Sequence, residues 1–241
     1  MTNAARPLLI ALAIVGATAL GMTATAAAAL AVTVASIRPS FAPNRLGAGA
    51  ALTLGLRLSG GEEGVPPPLR TLVLQLPAGL GIDLRGIQTC SALRLRRAGA
   101  AGCPAASLLG RGQATLEAHT GSQTLPEQAQ LWAFRGPSRG GAATFEILSQ
   151  GYTPLDEHTI ATAVLQGSQA PYGSQLTVSV PPIPTVMYEP DASFTSLSLR
   201  LDRSGVIALP DACPRDGFAF AAAFTFADGT TATATAAASC P

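Results

Sequence analysis

The chain has 241 residues, of which 15 are basic and 14 acidic, and all the basic residues are arginine. So balanced a charge does not favour binding to nucleic acid or to anionic membranes. About 200–250 residues is an ordinary length for one large all-β domain, and no linker or low-complexity stretch divides this chain.

The N-terminal segment has the features of a secretory signal peptide. Arg6 ends a short charged region, residues 8–20 are apolar, and residues 24–26 and 26–28 both match the A-x-A cleavage pattern. We therefore expect a signal peptide at residues 1–28, a mature domain at residues 29–241, and a location outside the cytoplasm, secreted or in the cell envelope. The alternative is an uncleaved membrane anchor, because the uncharged run exceeds the ~20 residues that span a bilayer.

Alternation of apolar and polar residues predicts about ten β-strands in the rest of the chain. In chain order, these segments are residues 31–37, 52–58, 70–76, 113–119, 128–134, 143–148, 159–165, 174–180, 194–201, 218–226 and 231–236. Ser91 is a suitable N-cap for a short helix at residues 92–97. Elsewhere no segment has helical periodicity, and turn-rich loops separate the strands. The pattern predicts an all-β fold, an antiparallel β-sandwich in one domain.

The last two predicted strands form a hairpin with aromatic residues on one face. Its outgoing strand carries four phenylalanines, Phe218, Phe220, Phe224 and Phe226. A two-residue turn at 228–229 would mix these rings with threonines on each face. A three-residue loop at 227–229, with Gly229 in a left-handed conformation, instead places phenylalanines with alanines and leaves the threonines on the other face. Because a half-buried sheet requires that separation, we predict the three-residue loop.

The cysteines form two local clusters, one with Cys90 and Cys103 and the other with Cys213 and Cys240. Four cysteines allow three disulfide connectivities. We favour pairing within each cluster, because it closes the shortest loops. A Cys₄ metal site is the alternative, but neither pair has the two-to-four-residue spacing of zinc knuckles.

Two motifs suggest catalysis, but their sequence contexts do not support it. Residues 136–140 match G-x-S-x-G, yet a nucleophile elbow needs a strand before the serine and a helix after it, and here predicted strands lie on both sides. Asp156, Glu157 and His158 are adjacent, so on an extended segment they point to opposite faces. We therefore predict a non-enzymatic protein with no catalytic residue, metal site or cofactor.

Four amphipathic aromatic residues are the remaining binding candidates: Trp132, Tyr152, Tyr172 and Tyr188. The three tyrosines fall in segments rich in glycine and proline, which predicts loops. Aromatic residues on the loops of a rigid β-sandwich can bind sugars or partner proteins. The alternative is that these rings pack under the loops.

Three short patterns carry a resemblance to a known group of proteins. The first is residues 76–80 followed by Cys90, and the second is Cys103-Pro104 with Ser107, Gly110 and Gly112. The third is Cys213-Pro214 before an aromatic-alternating strand, residues 228–230 and a near-terminal cysteine. In these patterns the chain resembles uncharacterised secreted, disulfide-bonded β proteins of actinobacteria. The resemblance implies an exported, disulfide-bonded β-fold and no catalytic residues.

Together these observations lead to an expected function. We expect a cell-envelope or extracellular interaction module whose partner is a protein or polysaccharide bound through its loops. Nucleic acid is not an expected partner, and a membrane is one only if the N-terminal segment is uncleaved. The alternatives are a secreted hydrolase with a dispersed site and a structural envelope domain without a ligand.

Overall fold

The computed structural model of the protein describes residues 1, 33–61, 64–120, 123–153, 157–185 and 190–241. The predicted signal peptide from residue 2 onward, Asp156 and Tyr188 thus lie outside the described residues. From Thr33 onward, the described residues belong to one unit.

The fold is an antiparallel all-β fold, as predicted, with one short α-helix among the described residues, α1 (Ala92–Ala98). Two 3₁₀ turns, Ala100–Gly102 and Ala105–Ser107, follow it. The sheet has thirteen strands. They are β1 (Val34–Ala42), β2 (Gly49–Ser59), β3 (Leu69–Pro77), β4 (Gly81–Ile82), β5 (Leu108–Thr120), β6 (Gln123–Arg135), β7 (Ala143–Thr153), β8 (His158–Gly167), β9 (Tyr172–Ser179), β10 (Ser193–Leu201), β11 (Ile207–Ala208), β12 (Phe218–Phe226) and β13 (Thr231–Ala238).

The sheet curls so that its two ends approach each other. Its strand order is β13-β12-β3-β9-β8-β7-β6-β5-β10-β2-β11-β4, and β1 pairs with β2. β1 also lies alongside β13. The ring of Phe41 on β1 meets the ring of Phe218 on β12 edge to face, with centroids 5.7 Å apart. The curled sheet therefore surrounds one large apolar core.

Each predicted strand is present, and the differences have local causes. β1 continues to Ala42, beyond the predicted end at residue 37. Pro39 lies opposite Leu54 in the ladder with β2, and β1 has a ladder on that side only, as is usual for a strand that contains proline. β4 and β11 have two residues each and are too short to give an alternation pattern.

The C-terminal hairpin has the predicted register. Phe224 pairs with Ala232 and Thr225 with Thr231. Gly229 has φ +82°, and the Phe226 N–H donates to the Thr230 carbonyl oxygen at 3.0 Å. The four phenylalanines of β12 are at most 2% exposed. Burial of the rings therefore decides the loop length, as expected for a sheet with one covered face.

Both predicted disulfides are present, Cys90–Cys103 and Cys213–Cys240. The first closes the loop that contains α1, where Ser91 Oγ accepts a hydrogen bond from the Arg94 N–H at 3.3 Å and caps the helix. The second joins the segment before β12 to the residues after β13. Disulfides persist in oxidising surroundings, so the two bonds indicate an extracytoplasmic protein.

Among the described residues, no helix has both the length and the apolar character needed to cross a membrane.

Candidate functional site

The structure separates the aromatic residues that the sequence suggested as binding candidates. Trp132 lies in β6, half-buried beside Leu148 under the Cys90–Cys103 loop. Tyr152 and Tyr172 lie in β7 and β9, so the prediction that they occupy loops is wrong. Since β7 and β9 both pair antiparallel with β8, they run in the same direction. Tyr152 is near the end of β7 and Tyr172 starts β9, so they lie at opposite ends of the sheet.

The two catalytic motifs do not form a catalytic site. Residues 136–140 belong to the hairpin between β6 and β7, in which Arg139 and Ala142 exchange backbone hydrogen bonds of 3.0 and 2.9 Å. The strand-to-helix turn of a nucleophile elbow is thus absent from this segment. Glu157 is exposed and His158 begins β8. Within the described ranges, no three His, Cys, Asp or Glu side chains come close enough to hold a metal ion.

A continuous polar surface covers the outward side of five neighbouring strands, β1, β2, β10, β5 and β6. Because cross-strand partners share a face, the ladder registers define three rows of outward side chains. The first row is Ser36, Arg57, Ser196, Thr115 and Gln128; the second is Arg38, Gly55, Ser198, Gln113 and Gln130; the third is Ser40, Thr53, Arg200, Arg111 and Trp132. We call these three rows the polar face.

The polar face is cationic. Arg38, Arg57, Arg111 and Arg200 are exposed, and none of the residues in the three rows is acidic. The Asp202 carboxylate lies 3.7 Å from Arg200 Nε. No carboxylate of the described residues forms an ion pair with the other three arginines. Four positive charges are therefore gathered on one face of a chain whose total charge is close to zero.

Two shallow grooves follow the polar face. One has a volume of about 340 Å³ and lies between Arg38, Arg57 and Gln128, with Gly55 also lining it. The other has a volume of about 470 Å³ and lies between Arg111 and Trp132, which are cross-strand partners. Gln113 lines both grooves. The surface therefore offers a path with arginines at both ends and amide side chains between them.

Sequence patterns did not identify the polar face, apart from Trp132. Its arginines come from four separate segments, and each segment on its own has the ordinary alternation of a half-buried strand. Arg57 lies within the leucine alternation of β2, and Arg200 within that of β10. Only the strand order brings these residues together, because β2 and β10 are about 140 residues apart along the chain and adjacent in the sheet.

Two buried glutamates on neighbouring strands have perturbed acidity. Glu146 is fully buried; Thr162 Oγ1 donates to its Oε2 at 2.8 Å, and Arg139 Nη2 is 3.7 Å from its Oε1. Burial raises the pKa of Glu146, and the Thr162 hydrogen bond and the Arg139 charge oppose that shift. Burial also raises the pKa of Glu127, and the nearby charge of Glu157 adds to the shift.

We predict that these glutamates make the protein less stable as the pH rises. A raised pKa means that the folded state holds the proton better than the unfolded chain does. The stabilisation is complete below the usual glutamate pKa of about 4.3 and is lost as the pH rises through the folded-state pKa. As the pH is raised from about 4 to neutrality, the free energy of unfolding of Glu146→Gln should therefore increase relative to that of the wild type. Urea unfolding across that range measures the difference.

Two results would decide this prediction. Parallel stability curves for the wild type and Glu146→Gln would contradict it. Glu157→Gln provides a separate check, because removing that charge should bring the pKa of Glu127 closer to its usual value while leaving Glu146 unaffected.

Comparisons with family models, curated proteins and solved structures found no match to this chain.

Proposed function

We propose that the protein is an exported, non-enzymatic module of the cell envelope or extracellular space that binds an anionic polysaccharide on the polar face. The observation that carries the proposal is the set of exposed arginines in rows without acidic residues. A guanidinium group matches the planar geometry of carboxylate and phosphate groups and can bind them with two hydrogen bonds. The glutamines, serines and threonines between the arginines can donate to and accept from sugar hydroxyls.

The dimensions and chemistry of the polar face favour a polymer with many polar groups. Five strands at about 4.8 Å spacing give the face a width of roughly 19 Å across the strands. Trp132 adds an apolar ring beside Arg111, against which the apolar side of a sugar ring can pack. A protein partner would require a buried cluster of aromatic or aliphatic anchors. Trp132 is the one large apolar side chain in the three rows, so a polysaccharide suits this face better than a protein.

Location outside the cytoplasm supports the same proposal. The two disulfides fit an oxidising compartment, where polysaccharides of the envelope are available as ligands. Interaction through the sheet replaces the expected interaction through loops, because the described tyrosines lie at opposite ends of the sheet. The binding experiment also distinguishes the two alternative functions, a hydrolase and a structural domain without a ligand.

The test is titration of the disulfide-bonded protein with polygalacturonate, a polyanionic polysaccharide, and with uncharged dextran. We expect binding to polygalacturonate that weakens as salt is added, and none to dextran. Arg57→Gln/Arg111→Gln should bind about tenfold more weakly, or about 0.7 kcal/mol per arginine, which is within the range for exposed ion pairs.

A matched control removes two arginine charges from outside the three rows. Arg94 and Arg97 are exposed on α1 and belong to none of the three rows of the polar face. Arg94→Gln/Arg97→Gln should bind polygalacturonate as the wild type does. Equal weakening in both double variants would show that only net charge matters and would reject the polar face as the site. Shortening of the polymer during titration would instead identify a hydrolase, and absence of binding would favour a structural role.

A further inference from the structure

The interior of the sheet contains an apolar cavity of about 100 Å³. Eight strands contribute to its wall, and its accessible surface consists of apolar atoms alone. Protein interiors rarely keep voids larger than a water molecule. An apolar cavity also stays dry, because water would find no hydrogen-bond partners in it, and such cavities bind small hydrocarbons. The void is therefore suited to an apolar ligand and not to water.

A second apolar cavity, of about 60 Å³, continues the first along the same interior. Five aliphatic side chains line both cavities and form the partition between them: Leu54, Leu74, Ile147, Leu176 and Leu199. Four of these are cross-strand pairs, Leu54 with Leu199 and Leu74 with Leu176. Because leucine side chains can change rotamer at low cost, a ligand can pass between them and join the two cavities.

The two cavities follow one another along the strands, so the space is elongated. On β2, Leu58 lines the first cavity and Leu52 lines the second. These positions are six residues apart, or about 20 Å in an extended strand. Ile82 and Ile207, on the paired strands β4 and β11, line the second cavity at the Leu52 end.

The wall of the first cavity also includes residues with hydroxyl groups. Ser149 and Thr159 are cross-strand partners on β7 and β8, and both belong to the wall of the first cavity. Thr195 of β10 is a third hydroxyl residue in that wall. Their hydroxyl oxygens do not reach the accessible surface of the cavity, which is apolar throughout. The interior therefore offers only apolar contacts, which fit a hydrocarbon chain.

We infer that this interior binds a single linear alkyl chain, which lies across the leucine partition. A chain is favoured over a ring system because the two cavities are small, in line and separated only by side chains. The aliphatic wall at the partition gives no hydrogen bond, so the inserted part must be a hydrocarbon. This site is independent of the polar face, which lies on the opposite side of the sheet.

The test measures direct binding of decanoate, decanol and decylamine by isothermal titration calorimetry. All three ligands should bind, because they share the alkyl chain, whereas the bulky adamantane carboxylate should not. Ala161 belongs to the wall of the first cavity, so Ala161→Phe should fill that cavity and weaken decanoate binding at least tenfold. Ala223 is exposed on β12, and Ala223→Phe should bind decanoate as the wild type does.

Each other result has a defined meaning. Equal decanoate affinity in Ala161→Phe and Ala223→Phe, or tight binding of adamantane carboxylate, would overturn the proposal. Failure of all three alkyl ligands to bind the wild type would also overturn it. If Ala161→Phe does not fold, Val178→Ile adds only one methyl group to the same wall and should weaken binding by a smaller factor. Arg57→Gln/Arg111→Gln should leave alkyl binding unchanged, which separates this site from the polar face.

Discussion

Replacement of Phe220 by alanine is expected to lower the free energy of unfolding by about 3–5 kcal/mol. The ring is 1% exposed and lies within the main core cluster, 6.1 Å from the ring of Phe41 on β1. Its removal takes away apolar contacts and leaves a cavity that closely packed neighbours cannot fill. Urea unfolding of the disulfide-bonded protein gives the value.

A control on the opposite face of the same hairpin isolates the effect of burial. Thr233 is exposed on β13, and its partner on β12 is Ala223. Thr233→Ala should change the free energy of unfolding by no more than about 0.5 kcal/mol. If Phe220→Ala cost less than 1 kcal/mol more than this control, the phenylalanine face would not be the main stabilising surface of the hairpin.

Loss of the Cys213–Cys240 disulfide is the second large effect that we expect. Cys213→Ser should cost about 2–5 kcal/mol, because the open chain gains conformational freedom in the unfolded state. The bond closes a loop with a sequence separation of 27, against 13 for Cys90–Cys103. On the loop-entropy model, the longer loop should contribute about 0.6 kcal/mol more than the shorter one.

The measurement compares Cys213→Ser with Cys90→Ser under non-reducing conditions, with peptide mapping to confirm that the remaining bond is intact. A cost below 1 kcal/mol for Cys213→Ser would mean that the hairpin is held by its ladders and its buried rings alone. A larger cost for Cys90→Ser would assign the main effect to packing under the α1 loop, where Cys90 is 1% exposed.

Local features of the fold could be predicted from the sequence because their causes are local. The period of two in β12 and β13 fixes which side chains share a face, and burial of the phenylalanines then selects the loop length. Cysteines close in sequence need only short loops to meet, which is why Cys90–Cys103 could be predicted. Ser91 is followed directly by the residues that it caps, so α1 was also recognisable.

Features that depend on strand order could not be predicted in this way. The polar face and the leucine partition both combine residues from distant segments, and alternation within one strand does not identify the neighbouring strand. The tyrosine segments were misassigned for another reason. Glycines beside Tyr152 and Tyr172 suggested turns, but Gly151 pairs with Ala129 at a register shift in the ladder. Gly173 lies where a Cβ atom would be 3.0 Å from Ala78 Cα, so close backbone approach requires glycine within β9.

The meeting of β1 with β13 has a consequence for how the chain folds. Asn44 Nδ2, just after β1, donates to the Ser239 carbonyl oxygen across a sequence separation of 195 residues. Because Phe218 and Phe220 of β12 pack against the ring of Phe41, the core can close only after the last strands have been synthesised. Contacts between residues so far apart in the sequence slow folding, and β folds with many such contacts fold in milliseconds to seconds. A ribosome-bound or truncated fragment that lacks the final hairpin therefore keeps its apolar surface open and remains a substrate for chaperones.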